Sequence, residues 1–313
     1  MAEGMIPVIL NPTARSERSR GWGAKIRALS PRVKIFETER AGHAQELARE
    51  FAEEGVPKVV VAGGDGTVNE VVNGLAEGGL ENGTVLGVLP TGTMNVFAVE
   101  LGLPPTLFLK KCWEVVEEGK VKEVDLWKAN DRYFVQLAGV GLDAQVIKET
   151  TWDLKKSLGP LSYLMSAASV LGQDAPRVVV TVDGCRSIEG TIVLIGNGQR
   201  YGGPFKVFRE ARNDDGSLDV IVVKGHGLPE LMELVKAASL TRFHDSDDVE
   251  YLKAKELLVE SVGGTGVSVE VDGDLMGETP VSFRKAEQPL RVMVLENGRW
   301  PISELPGAKT EPN

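Results

Sequence analysis

Lys58-Val59-Val60-Val61-Ala62-Gly63-Gly64-Asp65-Gly66-Thr67 is the stretch on which the fold turns. The run from Lys58 to Ala62 does not alternate with polar residues, so it reads as a strand covered on both faces. Two glycines end it, and a helical pattern follows from Thr67 to Ala76. Thr67 and Glu70 fit a T-x-x-E capping box. Working outward, the same strand–turn–helix unit recurs. Met5–Leu10 is an apolar run stopped by Asn11-Pro12, and a helical pattern lies near Trp22, Ile26 and Leu29. Val33–Phe36 reads as a strand, His43–Glu54 as a helix, Thr84–Leu89 as a strand and Met94–Leu101 as a short helix. This alternation predicts a parallel sheet with helices on both faces. Ligands of such sheets bind beyond the carboxyl ends of the strands. The loops after Leu10, Ala62 and Leu89 are therefore the ones to examine.

Beyond residue 120 the pattern changes. Short β-type runs appear at Tyr133–Leu137, Arg177–Val182, Ser187–Ile195, Leu218–Val223, Glu256–Val262, Val267–Val271, Pro280–Phe283 and Leu290–Leu295. Asp183-Gly184, Asn197-Gly198, Asp215-Gly216, Gly263-Gly264 and Asp272-Gly273 supply turn signals between many of them. That density of turns predicts antiparallel hairpins in a sandwich or barrel. Helical patterns interrupt near Leu161–Leu171 and Pro229–Leu240. The first of these carries Leu161, Leu164, Met165, Ala168 and Leu171 on one face after Pro160, which suits either a core-facing helix or an interfacial element. The boundary falls near Gly119–Lys122, giving domains 1–120 and 121–300 and a Pro- and Gly-containing tail, 301–313.

With 313 residues, 42% hydrophobic and 26% charged, the chain can bury a sizeable core. Its net charge of −10 argues against nucleic acid as a partner held by bulk charge. Two cysteines, Cys112 and Cys185, cannot make a disulfide framework or a four-ligand zinc site. No apolar run reaches the ~18 residues of a membrane span, and the first ten residues lack the pattern of a signal peptide. These features predict a soluble, intracellular protein.

Two loops carry the chemistry. In Gly63-Gly64-Asp65-Gly66-Thr67 the glycines allow close backbone approach to a phosphate, and the helix start supplies N–H groups and a positive dipole end. Asp65 can orient a hydroxyl or hold Mg²⁺ bridged to phosphate. Pro90-Thr91-Gly92-Thr93-Met94-Asn95 repeats the design on the next unit. Each alone also suits an ordinary βα turn; two side by side point to a shared anion cradle. The Arg15, Arg18 and Arg20 stretch either faces the same cleft or is a solvated face.

These residues resemble the diacylglycerol kinase catalytic fold, a superfamily that includes sphingosine kinases, ceramide kinases and bacterial lipid kinases. The resemblance rests on GGDGT at 63–67, PTGTMN at 90–95 and Asn11-Pro12. It extends through Thr38 with Gly42-His43-Ala44, Gly139-Val140-Gly141-Leu142-Asp143-Ala144, Gly196-Asn197 with Tyr201-Gly202-Gly203, Asp214–Asp219 and Val271-Asp272-Gly273-Asp274. It thus runs from about residue 5 to 295. It implies an N-terminal three-layer α/β nucleotide-binding domain followed by an antiparallel β-sandwich that handles the lipid.

The implied reaction is transfer of the γ-phosphoryl group of ATP, with Mg²⁺, to a lipid hydroxyl. Gly63, Gly64, Gly66, Thr67 and Thr93 match phosphate-cradling positions, and Asn11, Thr38 and Asn95 match the nucleotide site. Asp65 would organise Mg²⁺ or the transferring phosphate, and Asp272 matches the position of a general base. Asp215, with Leu218 through its backbone oxygen and Asp219 nearby, resembles a structural Mg²⁺ site; the same residues also read as an Asp-Gly turn before a strand. The implied partner is a lipid at a membrane surface, visited transiently from the cytoplasm, and the resemblance admits a homodimer.

One position departs from the family. Val96 follows Asn95 where an Asp is frequent, which removes a carboxylate and keeps a non-catalytic nucleotide or lipid sensor open. An NAD kinase-like enzyme is a further alternative, since GGDGT occurs there too. Its downstream Asn-Glu pair is missing, because Asn69-Glu70 falls inside the first glycine-loop helix.

Overall fold

The computed structural model describes residues 4–12, 21–141, 176–201, 206–225, 248–296 and 298–300. The Arg15–Arg20 stretch, the 161–171 and 229–240 helical patterns, Gly202-Gly203 and the tail after Trp300 lie outside them. The chain divides into two compact units, Met1–Glu123 with Leu290–Asn313, and Val124–Pro289.

In the first unit, β1 (Ile6–Leu10), α1 (Trp22–Arg27), β2 (Val33–Glu37), α2 (His43–Glu53), β3 (Lys58–Gly63), α3 (Asp65–Glu77), β4 (Val85–Pro90), α4 (Val96–Glu100) and α5 (Leu109–Glu118) alternate as the apolar runs require. β1 pairs in parallel with β2 and β3, and β3 with β4. Because the strands are buried on both faces, successive residues serve different cores. Val8, Leu10, Val60 and Ala62 pack with Ile26 of α1 and Cys112, Trp113 and Val116 of α5. Ile9, Val59 and Val61 point the other way and are equally buried; α2 and α3, packed on each other and on β1 and β3, cover them. That helix pair is close because Gly74 of α3 has no side chain: a methyl there would overlap the Gln45 carbonyl and Ala48 of α2.

In the second unit, the strands are β6 (Trp127–Ala129), β7 (Arg132–Phe134), β8 (Leu137–Gly141), β9 (Val178–Val182), β10 (Arg186–Gly190), β11 (Ile192–Gly196), β12 (Leu218–Val223), β13 (Val249–Ala254), β14 (Glu256–Ser261), β15 (Ser268–Val271), β16 (Asp274–Glu278) and β17 (Val281–Lys285). They form two six-stranded sheets, ordered β10-β9-β14-β17-β6-β7 and β13-β12-β11-β8-β15-β16. Every strand pairing resolved in either sheet is antiparallel. Val180, Val259 and Phe283 from one sheet meet Val140, Val193, Val220 and Val269 from the other in a single core, which makes the unit a sandwich.

Several expectations need correction. The run at Leu290–Leu295 does not belong to the sandwich. It forms β18 (Leu290–Val294), which pairs in parallel with β4 through Val292 and Leu86. The first sheet is therefore ordered β2-β1-β3-β4-β18-β5, with β5 (Lys120–Val124) reaching it only through β18. The signal lay in the run itself, since Leu290, Val292, Met293 and Val294 are all buried, as a doubly covered strand demands. Of the five turn signals, only Asp183-Gly184 and Asp272-Gly273 close hairpins. Gly263-Gly264 joins strands of different sheets, and neither Asn197-Gly198 nor Asp215-Gly216 connects paired neighbours as a short loop. No helix among the described residues is long and apolar enough to cross a membrane.

Candidate functional site

The sheet order sets Thr38, Asn11, Gly63 and Thr91 side by side along the carboxyl edge of the first sheet. Thr38 N–H donates to Leu10 O at 2.9 Å, Asn11 N–H to Ala62 O at 3.1 Å, and Thr91 and Gly92 N–H to Gly63 O at 3.1 and 3.2 Å. The ladder thus runs one step past the strands before the loops part.

α3 starts at Asp65, two residues earlier than the pattern predicts. Its N-cap is Gly64, in extended conformation and with no side-chain cap. The expected capping box is absent because Thr67 now sits inside the first turn. Thr67 Oγ1 accepts from Asn11 Nδ2 at 3.0 Å, and Glu70 Oε2 accepts the Ala44 N–H of α2 at 3.2 Å. The helix start therefore presents backbone N–H groups and its positive dipole end with no cap of its own over them, an arrangement suited to an anion.

The second glycine loop touches the first backbone to backbone. A methyl on Gly92 would overlap the Gly64 Cα, and one on Gly64 would stand 3.3 Å from the Gly92 Cα. Asn95, in the left-handed region at φ 51°, closes this loop on itself. Its Oδ1 accepts the Gly92 N–H at 3.0 Å, and its Nδ2 donates to Gly92 O at 2.9 Å and Pro90 O at 3.3 Å. Asp65 Oδ1 accepts the Phe97 N–H at 3.2 Å and so caps α4 from the neighbouring helix. Thr93 is exposed at the loop tip, while Val96 is buried at the start of α4. Asn11, Thr38, Gly63, Gly64, Asp65, Gly66, Thr67, Thr93 and Asn95 thus belong to one edge of one unit.

Asp272 lies in the second unit, in the two-residue loop between β15 and β16. It and Gly273 have φ of 48° and 89°, the doubly positive pattern of a type I′ hairpin. Its carboxylate is buried. Oδ2 accepts the Val135 N–H at 3.0 Å, and Oδ1 accepts those of Gln136 and Leu137 at 2.9 and 3.1 Å. This is why Tyr133–Leu137, expected as one strand, is broken into β7 and β8: at Val135 and Gln136 the backbone donors turn to a side chain. Fully buried Asn197 holds the same break from behind. Its Nδ2 donates to Val135 O at 2.7 Å and Asp125 O at 2.8 Å, and its Oδ1 accepts from Trp127 Nε1 at 2.9 Å.

The expected metal pair behaves differently. Leu218 is a core residue opening β12, opposite Ala254. Asp215 Oδ1 accepts the Ser217 N–H at 3.0 Å, and its Oδ2 accepts from Lys253 Nζ at 2.8 Å. The same ammonium lies 3.2 Å from Asp219 Oδ2, because Lys253 and Asp219 are register partners on β13 and β12. Tyr251 donates its hydroxyl to Asp219 Oδ1. Burial raises the Asp219 carboxyl above its usual range, against the pull of Tyr251 and Lys253. Burial also works against the Lys253 ammonium, but its bonds to Asp215 and Asp219 outweigh it and raise that group. Among the described residues, no three His, Cys, Asp or Glu side chains stand together as a metal site. A divalent cation at Asp215 would have to displace an ammonium, so this donor set does not fit one.

Pattern reading missed Asn197, Lys253 and Asp125, whose Oδ2 accepts the Gly216 N–H at 2.6 Å. Only Asn197 had a signal, within the Gly196-Asn197 pair; the others act through partners far away in sequence. Cys112 is a core residue, clustered with Trp113 and Val116, and burial pushes its thiol up to about 12.

Comparison with known proteins covers nearly the whole chain. The family model described as "Diacylglycerol kinase catalytic domain" matches residues 5–129. The one described as "YegS C-terminal NAD kinase beta sandwich-like domain" matches residues 136–294. A diacylglycerol kinase of Staphylococcus saprophyticus is 32% identical over 292 residues, covering 91% of this chain and 93% of that protein. One from Staphylococcus aureus (strain bovine RF122) is 32% identical over 291 residues, covering 91% and 90%. The crystal structure of a diacylglycerol kinase from Bacillus anthracis superposes with a TM-score of 0.72 at 26% identity, covering 94% of this chain and 98% of that one. Another solved chain from the same organism gives a TM-score of 0.79 at 29% identity, covering 94% and 96%.

Proposed function

Because the chain belongs to the diacylglycerol kinase family, we propose that it transfers the γ-phosphoryl group of ATP to the hydroxyl of a lipid, with diacylglycerol the first acceptor to test. One observation carries this reading: two glycine loops in backbone contact at the uncapped start of α3, on the carboxyl edge of a parallel sheet. Such an edge suits a chain of phosphates, because the uncapped helix start offers backbone N–H groups and a positive dipole end. Gly63, Gly64, Gly66 and Thr67 then cradle phosphate oxygens, with the Thr93 hydroxyl at the rim. Asn11 and Thr38 line the nucleotide, and Asn95 holds the loop in shape.

Asp65 would hold Mg²⁺ with the phosphates. One carboxylate plus phosphate oxygens is the usual donor set for that ion, and it supplies neutralisation of phosphate charge. In the transfer, the bond from the γ-phosphorus to the bridging oxygen of ADP breaks and a bond to the lipid oxygen forms. Asp272 takes the hydroxyl proton. Reaching the acceptor brings the protein to a membrane surface, and its net charge of −10 favours neutral lipid there.

The test is transfer of radiolabel from ATP to vesicles containing diacylglycerol, a sphingoid base or a neutral control lipid, with wild type and Asp65→Asn. Label on one lipid, lowered about 100-fold or more by the substitution, is expected. ATP binding with no transfer to any lipid would point instead to a nucleotide or lipid sensor.

A further inference from the structure

The hairpin that carries Asp272 is held by a second carboxylate, to which the proposed transfer assigns no chemical step. Val269 and Val271 of β15 point into the sandwich core, so Glu270 between them points to the opposite face of the sheet. Outer faces of antiparallel sheets are normally wet, yet Glu270 is fully buried. Burying a carboxylate is costly unless it is hydrogen-bonded. Here Oε1 accepts the Tyr201 hydroxyl at 2.8 Å and Oε2 accepts the Gly273 N–H at 2.9 Å. Tyr201 is in turn set edge-on against Phe208, a fully buried ring that packs where Gly196 has no side chain.

The hairpin does not need this support to form. Asp-Gly by itself favours the doubly positive turn. What Glu270 adds is orientation. The Asp272 N–H is tied to Leu137 O at 2.9 Å, and the next N–H in the chain, that of Gly273, is tied to Glu270. Both N–H groups of the turn are therefore anchored, one to β8 and one through Glu270 to Tyr201. The register of β15 on β16 also shifts between Val269 and Glu270, a bulge that re-aims the strand just before the turn.

We propose that Glu270 and Tyr201 are positioning residues for Asp272, fixing the turn so that its carboxylate meets the acceptor hydroxyl in one orientation. This rests on the reading of Asp272 as the proton acceptor. Misplacing a catalytic group by about 1 Å costs on the order of 100-fold in rate, so a loosened turn reads out in turnover and not in nucleotide affinity.

The experiment uses the full chain and four variants: Asp272→Ala, Glu270→Ala, Glu270→Gln and Tyr201→Phe. Turnover and KM for ATP are measured on diacylglycerol vesicles, alongside the thermal midpoint. Glu270→Ala is expected to lower turnover about tenfold or more with KM for ATP within about twofold. Tyr201→Phe falls in the same direction by less. Glu270→Gln recovers most of the rate, because its amide oxygen can accept from Gly273 and its amide N–H can donate to the Tyr201 oxygen. If Glu270→Ala melts earlier but the folded enzyme turns over at the wild-type rate, the positioning role is overturned. Should Glu270→Ala not fold, unchanged turnover in Tyr201→Phe overturns it equally. An active Asp272→Ala removes the proton-acceptor reading and this inference with it. An inactive Asp272→Ala beside a fully active Glu270→Ala removes the inference alone.

Discussion

The glycine edge of the first unit and the Asp272 hairpin of the second handle polar groups in opposite ways. At the edge, side chains are missing: Gly64 and Gly92 meet backbone to backbone, and the start of α3 has no cap. At the hairpin, side chains are engaged: one carboxylate takes three backbone N–H groups and its neighbour Glu270 takes a fourth. The first leaves the backbone donors of the helix start without a side-chain cap. The second uses backbone donors to hold a side chain still. The transfer proposed above would need both: one to bind a floppy polyphosphate, the other to aim a single proton acceptor.

Substitutions break the comparison in order of size. Gly92→Ala drives a methyl into the Gly64 backbone, which has no rotamer to yield, and should cost at least ~3 kcal/mol with loss of ATP binding. Gly184→Ala, in the Asp183-Gly184 turn, meets only Glu256 Oε1 at an ordinary contact of 3.9 Å and a positive φ of 66°, so ~1 kcal/mol is expected. Urea midpoints of the two variants separate crowding from conformation. Equal losses would mean that the loops do not touch.

Asp272→Asn comes next. An amide can keep its oxygen on the Gln136 and Leu137 N–H groups but then sets its own N–H groups against that of Val135, so it should lose about 1–3 kcal/mol of stability as well as activity. Asp65→Asn can keep the bond from the Phe97 N–H through its amide oxygen and should stay within about 0.5 kcal/mol. Chemical denaturation of both variants checks whether the second carboxylate is the more committed.

The smallest effect concerns Lys253. Without nucleotide, EDTA and millimolar Mg²⁺ should give the same melting temperature for the wild type. Lys253→Met should fall by about 2–4 °C, since a half-exposed ammonium is well screened and is worth only about 1 kcal/mol. The pH dependence has a definite sign. Lys253 is raised in the folded state, so its contribution is complete below the ordinary lysine value and is lost only as pH rises through the raised one. The deficit of Lys253→Met should therefore be equal at pH 6 and pH 8.5. A melting temperature that drops in EDTA would restore the structural-metal reading of Asp215.

How much of this was legible in the chain follows the range of the interactions. The β3–α3 and β4–α4 units could be read because strand, glycines and helix are neighbours in sequence. The start of α3 was misplaced by two residues because Thr67 and Glu70 mimic a local cap while their partners are Asn11 and Ala44. The interruption at Val135 and Gln136 left no local trace at all, since the acceptor lies more than 130 residues away. Lys253 reaches Asp219 through strand register, which pairs residues that no motif spacing connects.

The place of β18 has a consequence for how the molecule comes into being. On a ribosome, the residues of the second unit emerge before Leu290–Val294. The first sheet therefore waits with β4 exposed at its edge and β5 without β18 beside it until the whole second unit has been made. The unit begun before the sandwich is closed only after it. A truncation after residue 123 would look like a clean domain cut, yet it would release a sheet permanently missing its fifth strand.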